Sequence, residues 1–309
     1  MKHLPRVAVS CGDPNGVGPE ILLRSLREIS EFCQPVLACH PKFLAAAAKL
    51  AGIKSGGDFP VSSPPEADPP RIEPGRVSAE AGEYSLASFT KALDLVDSGD
   101  CAAAVTLPVN KLSWSKAGSD FKGHTDLLSA RYGETGIMAL GHPDDFIVLL
   151  YTDHIALRDV PDTIREPGRL EKFLRRVDRH TPPGAIAVCG FNPHAGENGL
   201  FGDEDGFIAE ALEKINVEKG ETRFAGPIPA DSAFIPASLE TYRFFVSFYH
   251  DQGLIPVKTL LFDKAVNFTV GLPVRRTSVD HGTAFDIAYS GKVPSCRSFV
   301  EAVRYHSFF

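Results

Sequence analysis

Short apolar runs alternate with longer stretches of helical periodicity along this chain, and that alternation restricts the fold more than any other feature. Candidate strands are Val7–Ser10, Pro35–Ala38, Ala102–Thr106, Phe146–Tyr151, Ala185–Cys189 and Phe244–Phe248. Runs this short and this uniformly apolar suit strands covered on both faces by helices. Candidate helices are Pro19–Ile29, Lys42–Ala51, Ala79–Ser98, Glu166–His180 and Gly206–Lys219. The order predicts an α/β protein, and 309 residues predict about two domains. Lys54–Gly75 is rich in proline and reads as an irregular surface crossing.

Charge narrows the function. Lys and Arg total 32 against 39 Asp and Glu, a net charge of −7. A general nucleic-acid binder needs the opposite balance to displace counterions. No apolar run reaches the length of a membrane span. The start, Met1 to Arg6, has no signal-peptide core and leads straight into a strand-like run. The six cysteines are scattered without a C-x-x-C pair, as expected of reduced thiols. These features predict a cytoplasmic protein with neither nucleic acid nor membrane as a partner.

Several segments carry residues suited to chemistry. Gly12-Asp13-Pro14-Asn15-Gly16-Val17-Gly18-Pro19-Glu20 follows a strand and opens a helix. It is either a ligand cradle with free N–H groups or a tight packing turn, and it lacks the G-x-G-x-x-G spacing of a Rossmann site. Thr106-Leu107-Pro108-Val109-Asn110-Lys111 lies at a strand end, where ligands gather in α/β sheets, or is a plain turn with a solvated Lys. Gly123-His124-Thr125-Asp126 places small polar groups after a glycine, although Asp126 also suits a helix start.

Three histidines follow candidate strands. His154 lies in Tyr151-Thr152-Asp153-His154, His194 in Gly190-Phe191-Asn192-Pro193-His194-Ala195-Gly196-Glu197, and His250 in Tyr249-His250-Asp251-Gln252-Gly253. Converging on one sheet rim, they would hold a divalent metal, with Asp153, Asp251 or Asp231 as orienting partners. Taken singly, each is equally a hydrogen-bonded structural histidine. Downstream, Lys258, Asn267 and Arg276 form the kit expected for a phosphate monoester. Asp280-His281-Gly282-Thr283-Ala284-Phe285-Asp286-Ile287-Ala288 could wrap an adenosine or be a loop into a helix capped by Thr283.

Taken in order, GDPNGVGPE, TLPVNK, GHTD, GFNPHAGE, PADSAF, YHDQGLIPVK and GLPVRRTSVDHGTAFDIA form a specific series. It resembles the 4-hydroxythreonine-4-phosphate dehydrogenase (PdxA) family from Val7 to about Ala302. The resemblance implies a two-domain fold of the isocitrate and isopropylmalate dehydrogenase type. One domain would span 1–122 plus 264–309 and carry the NAD loop. The other would span 123–263 and carry the metal ligands and a dimer interface. The resemblance implies His154, His194 and His250 as ligands to Zn, Mg, Co or Mn. It implies His124, Thr125, Lys258, Asn267 and Arg276 as substrate contacts. It implies Gly271, Asp280, His281, Gly282, Thr283 and Asp286 as contacts to NAD or NADP. Candidates for the general base are Lys258 and an aspartate near the metal such as Asp251. The family acts as a homodimer with a shared site, to which His250 can come from the partner chain. Its reaction oxidises 4-phosphooxy-L-threonine and decarboxylates the product, toward pyridoxal phosphate. Asp126 stands where Glu is usual, and Asn198 and Leu200-Phe201 vary the stretch after HAGE. Relatives acting on threonate or erythronate 4-phosphate, or on diols from aromatic acids, share the fold. The rival class is a metal-dependent hydrolase or phosphotransferase, which would leave the HGTAFDIA loop without a role.

Overall fold

The computed structural model describes residues 4–54, 59–64 and 69–309. The chain forms two compact units, Met1–Gly136 with Val266–Phe308, and Ile137–Ala265 with Phe309. The first unit opens with β1 (Arg6–Ser10), α1 (Gly18–Ile29), β2 (Gln34–Ala38), α2 (Pro41–Leu50), α3 (Ala79–Asp97), β3 (Ala103–Thr106), α4 (Lys111–Lys116) and α5 (His124–Tyr132). The second contains β4 (Ile137–Gly141), β5 (Ile147–Leu150), α6 (Val160–Arg165), α7 (Arg169–His180), β6 (Ile186–Cys189), α8 (Glu204–Lys219), β7 (Phe224–Ile228), α9 (Ala230–Ala233), α10 (Pro236–Thr241), β8 (Phe244–Ser247) and α11 (His250–Leu261). The chain then returns to the first unit with β9 (Val266–Val270), β10 (Arg276–Val279) and α12 (Arg297–Arg304).

Strands of the first unit run in the order β2-β1-β3-β10-β9, and those of the second in the order β4-β5-β8-β6-β7. Pairing is parallel except for β10 with β9 and β4 with β5. β3, β5, β6 and β8 are buried along their whole length, which is why they read as continuous apolar runs in the sequence. β9 alternates buried and half-buried residues, the signature of a strand with one covered face.

The first boundary lies after Gly136 and not at 122, so the segment from Gly123 to Asp126 belongs to the first unit. The cause is packing. Leu127 and Leu128 of α5 are buried in a cluster with Phe89, Leu93, Ala104, Trp114 and Val274. α3 and α4 meet closely on one side of that cluster. Trp114 Nε1 donates to Ser85 Oγ at 2.9 Å. A Cβ at Gly82 would overlap the Ser113 carbonyl.

Among the described residues of Lys54–Gly75 there is neither a helix nor a named strand, and a single bridge joins Leu37 and Val61. All six cysteines are free; burial pushes the Cys11, Cys33 and Cys189 thiols up to about 12 and so suppresses their thiolates. No helix among the described residues is long and apolar enough to cross a membrane.

Gly82→Ala tests the α3–α4 contact. The added methyl has no room, so the variant should lose about 1–3 kcal/mol in urea denaturation, within the usual range for overpacking. An unchanged unfolding midpoint would contradict this packing.

Candidate active site

The register of β3, β10 and β9 sets a buried cation in the first unit. Arg276 begins β10 with Ala104 and Thr269 as its flanking Cα partners. Its guanidinium is buried with the rest of the residue. Nε and Nη2 donate to Thr106 Oγ1 at 3.0 and 2.6 Å, and Nη1 donates to Thr269 Oγ1 at 3.1 Å. Nη2 also lies 3.1 Å from His124 Nδ1. Its partners are hydroxyls and an imidazole, with no carboxylate within ion-pair reach among the described residues. Burial pulls its pKa down from 12.5 to about 9, so it stays protonated at neutral pH.

His124 opens α5 between two aromatic rings. Phe89 lies 4.6 Å away and Trp114 5.8 Å away, both edge-on. Burial and the nearby Arg276 charge hold its pKa well below 6.5, so the ring is neutral. A guanidinium only donates, so Nδ1 accepts and Nε2 carries the ring proton. That Nε2 is buried without a hydrogen-bond partner. The pocket thus holds an uncompensated cation and an unused donor side by side, the chemistry of an anion receptor. Asn267 lies two residues from Thr269 on the same face of β9. Thr125 is exposed on α5, and Asp126, in the first turn, accepts from the Lys122 N–H at 3.0 Å.

The TLPVNK turn divides its labour. Thr106 serves Arg276, while Asn110 caps α4 by accepting from Ser113 N at 2.9 Å, and Lys111 is exposed. The Gly12–Glu20 turn is not an anion cradle. Every residue from Cys11 to Leu22 is buried. The Asp13, Asn15, Gly16 and Val17 N–H groups donate to Pro108 O, Asp13 Oδ1, Asp13 O and Thr283 O, at 2.8, 2.9, 3.1 and 3.0 Å.

The loop after β10 carries the residues expected to contact a dinucleotide. Asp280 N donates to Ser298 Oγ at 3.1 Å, and His281 Nδ1 lies 3.1 Å from Gly282 O. His281 Nε2 is buried without a partner, so the loop offers an unused polar atom to a ligand. Gly282 and Asp286 are exposed and Thr283 is half-buried. Gly271 turns the chain between β9 and β10 with φ 84°. Thr283 precedes a series of turns and caps no helix.

On the second unit the ends of β5, β8 and β6 are stitched together. Thr152 Oγ1 donates to Phe248 O at 2.6 Å. Gln252 accepts from Phe248 N and donates to Gly190 O, each at 2.7 Å. A Cβ at Gly253 would lie 2.7 Å from Val148 Cγ1, so glycine seats α11 on β5. This brings the His154 and His250 rings to 5.3 Å between centroids. Asp251 Oδ1 meets His250 Nδ1 at 2.7 Å, and the Asp153 carboxylate lies 3.6 Å from His154 Nδ1. Carboxylates on Nδ1 leave Nε2 turned to other partners. His194 is exposed. Among the described residues no group of three or more His, Cys, Asp or Glu is gathered to hold a metal ion. His154 and His250 form an imidazole pair within one chain. Lys258 is half-buried on α11, whereas Asp231 and Asp251 line an open groove of about 450 Å³ with Ile255 and Leu260.

Two acids that sequence reasoning overlooked hold the His194 loop. Buried Asp205 accepts from Phe191 N, Asn192 N and Asn192 Nδ2 at 2.8, 3.0 and 3.0 Å. Glu204 accepts from Asn192 Nδ2 at 2.7 Å. They fix a loop in which His194 to Asn198 all have positive φ, from 42° to 79°. Left-handed non-glycine residues persist only where surroundings over-determine them. Two acids opening a helix carry no sequence signal beyond an ordinary helix start.

These features define an α/β protein with a buried guanidinium that lacks a carboxylate on one unit and paired imidazoles at a strand rim of the other. Residues 31–306 match the family described as pyridoxal phosphate biosynthetic protein PdxA. A 4-hydroxythreonine-4-phosphate dehydrogenase of Helicobacter acinonychis is 42% identical over 308 residues, 98% of each chain. The crystal structure of a 4-hydroxythreonine-4-phosphate dehydrogenase from Klebsiella pneumoniae is 36% identical, with a TM-score of 0.83 over 99% of this chain and 98% of its own. A terephthalate 1,2-cis-dihydrodiol dehydrogenase from Burkholderia xenovorans is 25% identical, with a TM-score of 0.67 over 99% and 98%. The chain belongs to the PdxA family.

The neutral His124 has a consequence for pH. Its folded pKa lies below the unfolded value near 6.5, so under that pH only the unfolded chain takes up this proton. Its contribution to stability is complete above about pH 6.5 and is lost as the pH falls. His124→Asn should therefore flatten the decline of the urea midpoint between about pH 6.5 and pH 5. Equal slopes in the two proteins would contradict a neutral His124.

Proposed function

We propose that the protein is an NAD- or NADP-dependent 4-hydroxythreonine-4-phosphate dehydrogenase that requires a divalent metal. It oxidises 4-phosphooxy-L-threonine and releases CO₂, leaving 3-amino-2-oxopropyl phosphate. The observation that carries the reading is Arg276, a buried cation without a carboxylate, beside the unused His124 Nε2–H. A phosphate monoester supplies the missing negative charge and accepts from both groups. Thr125 and Asn267 add polar contacts to the same substrate. The family membership and the 42% identity to a relative of that name support the assignment.

Substrate phosphate held by Arg276 would turn binding energy into orientation. A divalent ion, when bound, supplies a Lewis acid that acidifies the substrate hydroxyl and favours decarboxylation of the β-keto acid. Asp251, on His250 Nδ1, keeps that imidazole in the tautomer that presents Nε2. Lys258 or Asp251 would take the hydroxyl proton, and a bound nicotinamide would supply the hydride acceptor for the oxidation. Asp280, His281, Gly282, Thr283 and Asp286, with Gly271, would hold the dinucleotide.

The active form is a homodimer. His154 and His250 pair their rings, and a catalytic site for Zn or a similar ion needs a third protein ligand. Exposed Ile255 and Leu260 on α11 and Phe262 at its C-cap, at 65, 51 and 74% accessibility, offer a surface for a second copy. Ligands from His154, His194 and His250 of two chains would then complete the site. A second reading, oxidation of threonate or erythronate 4-phosphate, uses the same phosphate pocket and differs only at the far end of the substrate.

The test is NADH absorbance with added Zn, Mg, Co or Mn and a panel of acids. 4-Phosphooxy-L-threonine should give the fastest signal, chelation should abolish it, and the dephosphorylated analogue should give almost none. Equal rates with and without the phosphate, or no NADH with any metal, would contradict the proposal.

A further inference from the structure

The first unit contains a buried carboxylate that the proposed reaction does not use. Glu20, in α1, is 1% accessible. Its Oε2 lies 3.5 Å from Arg24 Nη2, and its Oε1 accepts the Tyr289 N–H at 2.5 Å. A carboxylate taken out of water is costly unless hydrogen bonds meet it, so this contact is a built one. Tyr289 has φ 54° and Ala284 has φ 41°, and neither is glycine. They bracket the run from Ala284 to Tyr289 that follows Gly282 and Thr283. Such backbone holds its shape only where neighbours impose it.

The Gly12–Glu20 turn imposes it at two points. At the loop's beginning, Val17 N donates to Thr283 O at 3.0 Å. A Cβ at Gly16 would sit 2.8 Å from Thr283 O, so only glycine lets the two backbones meet. At the loop's end, Glu20 takes the Tyr289 N–H, and the Tyr289 hydroxyl reaches Pro14 O at 3.2 Å. Asn15 braces the other side by accepting from Glu73 N at 2.7 Å and donating to Arg76 O at 2.8 Å. Gly75, in that braced stretch, would carry a Cβ 2.9 Å from Phe285 O.

We infer that the Gly12–Glu20 turn is a clamp that sets the shape of the Asp280–Tyr289 loop for a dinucleotide, with Glu20 as its positioning residue. The inference rests on the reading of that loop as the dinucleotide site. Glu20 is buried and commits its carboxylate to the Tyr289 N–H and Arg24, so its role is to position the loop. It holds the far end of a strained loop whose near end is held by Val17, so that Asp280, His281 and Asp286 are presented before the ligand arrives. Preformed loops bind with less ordering cost, which is where the clamp acts.

Glu20→Ala and Glu20→Gln test this, with the unsubstituted enzyme beside them. Glu20→Ala should raise KM for NAD about tenfold or more while kcat at saturating NAD stays within about twofold. Affinity for inorganic phosphate should not change, because Glu20 bonds to Tyr289 and Arg24 and to none of Arg276, His124, Thr106 or Thr269. Glu20→Gln keeps an acceptor for the Tyr289 N–H and should recover most of the NAD affinity. Hydrogen exchange on the unsubstituted enzyme gives a second arm if Glu20→Ala does not fold. Amides of the peptide 283–290 should be slow without nucleotide and slow further when NAD is added. Unchanged KM for NAD in a folded Glu20→Ala, parallel loss of phosphate affinity, or fast exchange of 283–290 would overturn the clamp. Failure of the unsubstituted enzyme to bind any dinucleotide would overturn the cofactor reading and the clamp with it.

Discussion

A guanidinium buried without a counter-charge is the constraint around which the first unit is arranged. Isolated ions are expensive to remove from water, and proteins ordinarily pair them. Here two threonine hydroxyls and one imidazole orient Arg276 without neutralising it. Strand register does the orienting, because β3 delivers Thr106 and β9 delivers Thr269 to either side of β10. The α3–α4–α5 core then seals His124 against Phe89 and Trp114. The unit thereby retains an electrostatic deficit of the kind that a phosphorylated ligand would remove.

The second unit follows a similar logic with different groups. Its parallel strands end together, and hydrogen bonds from Thr152 and Gln252 tie those ends. That stitching places His154 beside His250, while Asp205 and Glu204 hold the left-handed His194 turn. Chemistry is concentrated in loops, and the sheets supply the fixed frame from which they project.

Much of the frame was legible in the sequence. All six candidate strands and all five candidate helices occur in the structure, with small shifts at their ends. Buried parallel strands and long helices have strong patterns, so they show through. β10 did not, because Arg-Thr-Ser-Val reads as polar although all four residues are buried. α11 did not, because Gly253 and Pro256 argue against a helix, yet Gly253 is what allows the close seat on β5. At the site, the pairing of His124 with Arg276 joins residues far apart in the chain, and no local spacing encodes it. The Gly12–Glu20 turn shows the opposite case. Its glycines suggested a ligand cradle, whereas each available N–H from Asp13 to Val17 meets the protein's own oxygen atoms.

The central claim is that Arg276 is kept for ligand charge at the expense of stability, and Arg276→Met tests it directly. Replacing a buried ion by an apolar side chain of similar length is often neutral or stabilising by about 1–4 kcal/mol, whereas lost charge pairing weakens a complex by about 2–5 kcal/mol. Urea denaturation should show the variant at least as stable as the unsubstituted protein, while calorimetry should show affinity for 4-phosphooxy-L-threonine reduced on the order of a hundredfold. A variant that is strongly destabilised but still binds the phosphorylated acid with native affinity would contradict the account.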